Sequence, residues 1–467
     1  MSGGFMRTNS RLLWLGWVIL GGSLAYLRPL WAVERFEPPV GEAVQWLLEH
    51  NRDYQKALAD RRKARLDVVE TGAATLPSLQ LSATGTHLGN IQDFKFDSLT
   101  LTTAADDNYS FNLGLTQLLF SGSAFQAIGV ARSYERVAEA SLAVQRAALL
   151  RGFLTGYSSI ALLEELRVLN EEVVEGTKAR LEDARLLHEI GALSRFDLLR
   201  SEVEHMNSIP ALREAEDQLD QARAALVLQL ALEPGTELGI RAFELACSAL
   251  AAEFPGLLAE GSLPGGERER LVALAQRHRP ERDLATNAVE GYRRAVRVYQ
   301  SDHLPTLAAF ANLEHANQWD MFSQEETWRS SWNVGLQASL PLFSGFRTAA
   351  QVAKGRQDLR KAQADESQLL DAIGLDVRTA LDELQRRSLD MMAWERNAEA
   401  AAEGLEIAHT RRESGAGSEL ELRDARTAMK AARANAALAR HQLLTARIDL
   451  LHALGLLDET FYLDSSK

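Results

Sequence analysis

Apolar residues first recur mostly at three- and four-residue intervals. Val44, Leu47, Leu48, Tyr54, Leu58, Leu66 and Val69 stand among Arg, Lys and Glu. That spacing lines one helical face, and it predicts a helix over 41–74. Leu271, Leu274, Leu284, Val289, Tyr292, Val296 and Tyr299 predict another over 267–303. Both stop at a Leu-Pro (Leu76-Pro77, Leu304-Pro305). Proline lacks an N–H and disfavours helical geometry in the residue before it. The period then falls from 3.6 to 2. Leu79, Leu81, Ala83, Gly85 and His87 take one side, and Ser78, Gln80, Ser82, Thr84 and Thr86 the other, which is a two-faced strand over 77–88. Its counterpart over 305–316 sets Leu307, Ala309, Ala311 and Leu313 against Thr306, Asn312 and Glu314, with Phe310 the exception on the polar side. Returning strands are predicted over 109–119 and 331–342, joined to the first by polar loops at 89–106 and 318–329.

Helical character resumes at Ser121 and Gly345 and continues to Glu189 and Glu413. About 65 residues at 1.5 Å each give roughly 100 Å of helix per copy. Gly191-Ala192-Leu193-Ser194 and Gly415-Ala416-Gly417-Ser418 then turn the chain into return helices. The long hairpins thus span 121–231, with its tip at 190–195, and 345–455, with its tip at 414–419. Ser194 and Ser418 are N-cap residues, and Asp197 and Glu421 sit three positions later, the spacing of a capping box. Capping alone accounts for both acids. Pro210 predicts a bend in the first return helix. Residues 232–266, rich in Pro and Gly, read as an irregular equatorial connector, and 456–467 as a C-terminal tail.

The chain therefore states one unit twice. Leu76-Pro77-Ser78-Leu79 recurs as Leu304-Pro305-Thr306-Leu307, and Leu119-Phe120-Ser121-Gly122 as Leu342-Phe343-Ser344-Gly345. Two copies are too few for a solenoid. They make a duplicated helix–strand–strand–helix protomer, mixed α+β but mainly α, with repeats at 33–231 and 267–455.

Composition narrows the setting. Residues 1–32 carry Arg7, Arg11 and Arg28, no acid and an apolar run from Leu12, the pattern of a cleaved export signal; the alternative is an uncleaved membrane anchor, for which the run is slightly short. Without those arginines, 48 basic residues face 64 acidic ones, which argues against nucleic acid. Cys247 is the only cysteine, so no disulfide or thiolate cluster forms within the chain. No later apolar run is long enough for a spanning helix, so any crossing must be made by strands.

Each strand is about 10 to 12 residues, the length a tilted strand needs to span a bilayer. A half-buried sheet in a soluble sandwich shows the same alternation. Aromatic placement favours the membrane: Trp319, Trp328 and Trp332 gather towards the loop end, and Phe120 and Phe343 mark the other. Four strands cannot close a barrel, and open edges are not tolerated in lipid. The protomer must then oligomerise. Three copies give twelve strands.

In their order and doubling, these motifs resemble the TolC-like outer-membrane efflux proteins over 41–455. The resemblance implies a homotrimer with a twelve-stranded transmembrane β-barrel in the outer membrane, continued by a long periplasmic α-helical barrel. It implies an exit duct of a tripartite efflux or type I secretion system, fed by a periplasmic adaptor and, indirectly, an inner-membrane pump. By motif match, Glu421, Asp424 and Asp197 would line a periplasmic gate. An adaptor would dock at the tips, on Gly191, Ala192, Leu193, Ser194, Gly415, Ala416, Gly417 and Ser418. Gly417 departs from relatives that carry a basic latch there; Arg411, Arg412 and Arg195 are the nearby candidates to replace it. The residues show no HExxH, nucleophile elbow or phosphate loop, so neither catalysis nor a cofactor or metal is expected. The competing reading is a periplasmic coiled-coil adaptor without a pore.

Overall fold

The computed structural model describes residues 35–91, 93–96, 99–102, 104–239, 267–320, 323 and 325–457. The predicted export signal at 1–32, most of the predicted connector and most of the predicted tail lie outside the described residues, as does Cys247.

Each repeat opens with two helices rather than the single ones predicted over 41–74 and 267–303. They are α1 (Val40–His50) with α2 (Arg52–Ala73), and α5 (Glu267–His278) with α6 (Pro280–Ser301). The breaks have local causes. Asn51 is extended, and its Oδ1 accepts the N–H groups of Asp53 and Tyr54 at 3.0 Å each, starting a new helix. Arg279 is held extended ahead of Pro280, whose missing N–H suits a first helical turn.

The four long strands are β2 (Ser78–His87), β5 (Asp107–Phe120), β7 (Thr306–Asp320) and β8 (Glu325–Ser339). They form one antiparallel sheet in the order β2-β5-β7-β8, so β2 and β8 are its edges. A hairpin of β3 (Asp93–Phe96) and β4 (Leu99–Thr102) stands in the first predicted loop, and β1 (Arg35–Phe36) pairs in parallel with β6 (Glu237–Leu238). The second pair differs from the prediction. Most of the loop expected at 318–329 is strand, because Trp319 and Trp328 extend the alternation. β8 ends at Ser339, since Pro341 cannot donate to the ladder.

From the sheet the chain runs into α3 (Gly122–Glu189) with α4 (Arg195–Gln229), and α7 (Arg347–Glu413) with α8 (Glu419–Leu454). Despite Pro210, α4 stays one helix. Of the long helices, α3 packs along α2, α4, α6 and α8, and α7 along α5, α6 and α8. The shorter helices meet end to end beside them. At the first junction Asn51 Nδ2 donates to the Gln229 carbonyl at 2.7 Å, and Trp46 Nε1 to that of Leu230 at 3.1 Å. At the second, Gly455 lies so close that a Cβ there would sit 2.8 Å from the Arg279 nitrogen and the His278 carbonyl.

These junctions sit in the main apolar core. Val44 and Leu47 of α1 and Leu271 and Ala275 of α5 wedge against Leu150, Phe153 and Leu154 of α3 and Ile373, Val377 and Leu381 of α7. Leu226 and Leu450 close it from the return helices. Full burial of each large side chain contributes about 1.5–3 kcal/mol. The sheet has no such partner. Leu81 on one face is 71% exposed and Ser82 on the other is exposed too.

Candidate functional site at the sheet and the hairpin tips

The strand register sorts the sheet into rows. Leu81, Leu113, Leu313 and Trp332 lie side by side, with Leu79, Leu115, Ala311 and Val334 in the next row. All eight face the same way, and on the edge strand Trp332, Val334 and Leu336 are 76%, 69% and 70% exposed. The opposite face presents Ser82, Asn112, Glu314 and Ser331, then Gln80, Gly114, Asn312 and Asn333. A contiguous apolar patch of this kind, backed by a wet face and flanked by two open edges, marks an interaction surface.

The aromatic residues fall into place with one correction. Trp319, opposite Glu326, and Trp328, opposite Asn317, do sit near the loop end. Trp328 stacks on His315 at 5.0 Å and on Phe111 at 6.1 Å. Trp332 does not: it lies opposite Leu313, at the middle of β7, because the strands run further than predicted. At the helix end a register shift between Leu118 and Phe120 pairs Phe120 with Leu307. Phe343 packs edge-on against Phe346 at 5.6 Å.

The two tips share a backbone. Gly191 and Gly415 both have φ +76°, a left-handed position that favours glycine at a helix end. Each turn is then closed by bonds to a carbonyl in the last helical turn, Ala192 N–H to Leu187 and Ala416 N–H to Arg411, both 2.8 Å. Ser194 and Ser418 cap the return helices, accepting the N–H of Asp197 at 3.2 Å and of Glu421 at 3.1 Å. Ser194 also donates to the Asp197 carboxylate at 2.6 Å. Leu193 and Gly417 complete the turns, with Gly417 pressed onto the Arg411 backbone.

Their side chains differ. At the first tip Ile190, Phe196, Val203 and Met206 are exposed and apolar. At the second, charge dominates, and it is paired. Arg411 lies 3.8 Å from Glu421, Arg412 lies 3.2 Å from Glu419, and Arg423 lies 3.8 Å from Asp424. Two of the carboxylates read from the sequence, Glu421 and Asp424, are therefore balanced within their own chain, and the third, Asp197, is held by Ser194. The helical spacing of Phe196, Val203 and Met206 was available as a signal for the apolar stripe.

At mid-height, Arg279 is buried and held by Glu281 at 3.0 Å and Asp376 at 2.8 Å. His452 beside it is kept below its ordinary pKa by burial first, and then by Arg151 and Arg279. Burial also lowers His441, which faces Ser158. Among the described residues no group of His, Cys, Asp or Glu is placed to hold a metal ion.

A family model described as outer membrane efflux protein matches residues 43–233 and 271–456, both repeats and not the connector. The chain belongs to this family. Among its relatives, the proteases secretion protein PrtF of Dickeya chrysanthemi is 24% identical over 420 residues, 89% of this chain and 88% of that one. Outer membrane protein TolC of Escherichia coli is 21% identical over 422 residues, 88% and 80% of the two chains. The fold matches the Campylobacter jejuni CmeC outer membrane channel with a TM-score of 0.73 at 15% identity, over 91% and 88% of the chains. As a family member the protein resides in the outer membrane, with its helical part in the periplasm, and it belongs with channels rather than enzymes.

Proposed function

We propose that three copies of this chain close a twelve-stranded barrel and serve as the exit duct of a tripartite efflux or type I secretion system. One observation carries the reading: a four-stranded sheet with an apolar face, a polar face and two unpaired edges. Backbone edges cannot stay open in hydrocarbon, so β2 of one copy pairs with β8 of the next. The apolar rows then meet lipid and the polar rows line a water-filled lumen. The two hairpins of each chain extend the duct through the periplasm. Substrates are handed over by a periplasmic adaptor docked at the tips, Gly191–Ser194 and Gly415–Ser418, and driven by an inner-membrane pump.

The periplasmic mouth closes at the same tips, with Glu421, Asp424 and Asp197 at its rim. Within the chain Arg411 pairs with Glu421 and Arg423 with Asp424, while Asp197 is held by Ser194. No observation favours a pore-less adaptor, and the chain has two hairpins and an open amphipathic sheet.

The test is a purified preparation in detergent. Its mass should be that of three chains, and it should conduct in planar bilayers. Cysteines placed on β2 and β8 should cross-link neighbouring copies. With Ala192 and Ala416 both replaced by Trp, the trimer should persist while export in cells is lost. A stable single chain without conductance overturns the duct, and full export by the double variant overturns tip docking alone.

A further inference from the structure

The wet face of the sheet is polar but nearly uncharged. Between the level of Thr306 and that of Gln318, its positions on the four strands carry two charged residues, Glu314 and Arg329. Arg329 is turned towards Asp320 at 3.5 Å, beyond the Gln318 level. Glu314 has neither an ionic nor a hydrogen-bonded side-chain partner among the described residues. It stands opposite Asn112 on one side and Ser331 on the other, both neutral. Asn312, one row nearer the helices, is occupied with Asn333 at 3.0 Å. Phe310, the aromatic ring on this face, lies along the wall over Gly335, where a Cβ would come 2.7 Å from its ring. The glycine lets the ring lie flat, so it does not screen the carboxylate above it.

The tips offer a contrast. Each tip carboxylate of α8 has an arginine of its own chain within 3.8 Å. Charge that is cancelled locally gives little field along a bore, whereas an uncompensated carboxylate in a wall surrounded by hydrocarbon is felt across it. We propose that Glu314 sets the charge preference of the barrel, favouring cations and cationic solutes over anions. The inference rests on the three-chain reading, which repeats the carboxylate three times at one height.

Reversal potentials of the purified trimer in planar bilayers under a potassium chloride gradient test it. The wild type should prefer potassium. Glu314→Gln should lower the potassium-to-chloride permeability ratio about three-fold near 0.1 M salt, and Glu314→Arg should favour chloride. The difference should shrink at about 1 M, where the screening length falls to about 3 Å. Glu314→Cys in a Cys247→Ser background, labelled after assembly with an anionic or a cationic thiol reagent, gives the same comparison on one folded preparation. Conducting pores whose ratio ignores all of these changes overturn this inference alone. A wild type without conductance overturns the duct reading and this inference with it.

Discussion

The equatorial belt and the sheet are built on opposite terms. At the belt, one chain supplies every wall: α1 and α5 plug the space between α3 and α7, and Leu47, Leu150, Ile373 and Leu454 are fully buried. The sheet has an apolar face but nothing to set it against, so Leu79, Leu81, Val334 and Leu336 face outward. A hydrophobic residue thus reports on its surroundings only together with what covers it. The belt is finished by folding, and the sheet, on the three-chain proposal, by neighbouring copies and lipid.

Substitutions can push on either side of that contrast. The largest effect belongs to the belt: Phe153→Ala should cost about 3–5 kcal/mol, read as a lower thermal midpoint of the helical signal. An unchanged midpoint would mean the belt does not carry the fold. Next comes Val334→Arg on the apolar face. It should cost about 2–4 kcal/mol per chain in lipid, depleting membrane-inserted trimers while leaving the helical signal intact. Normal trimer yield would show that this row does not meet hydrocarbon.

The smallest effect is a pH dependence of the belt. His452 binds its proton less readily folded than unfolded, so the neutral form is the one the native state keeps. Stability from this site is present above the unfolded pKa of about 6.5 and is lost as pH falls below it, because the unfolded chain takes up the proton first. Denaturant unfolding between neutral and mildly acidic pH should therefore slope less steeply in His452→Gln. Parallel profiles for the two proteins would count against it.

Much of this was legible in the chain. Period-2 alternation after Pro77 and Pro305 placed the strands, and Gly191 and Gly415 with their capping serines placed the turns. Other features were hidden for physical reasons. The helix breaks at Asn51 and Arg279 fall in gaps of the apolar series, between Leu48 and Tyr54 and between Leu274 and Leu284, and only end-to-end contact with α4 and α8 reveals why they are needed. Trp332 was misplaced because polar and aromatic residues at 318–329 continue the ladder instead of leaving it. The pairing of Arg411 with Glu421 across a turn depends on geometry, and acidic spacing alone pointed to a bare cluster.

The end-to-end seams have a mechanical consequence. In each repeat one spar, α3 or α7, runs the full length, while the rod beside it is spliced at mid-height, α2 to α4 or α6 to α8. A splice held by a few hydrogen bonds and a close-packed glycine transmits compression but little torque. Rewinding the far half of the rod can therefore stop at the splice, leaving the strands above it undisturbed.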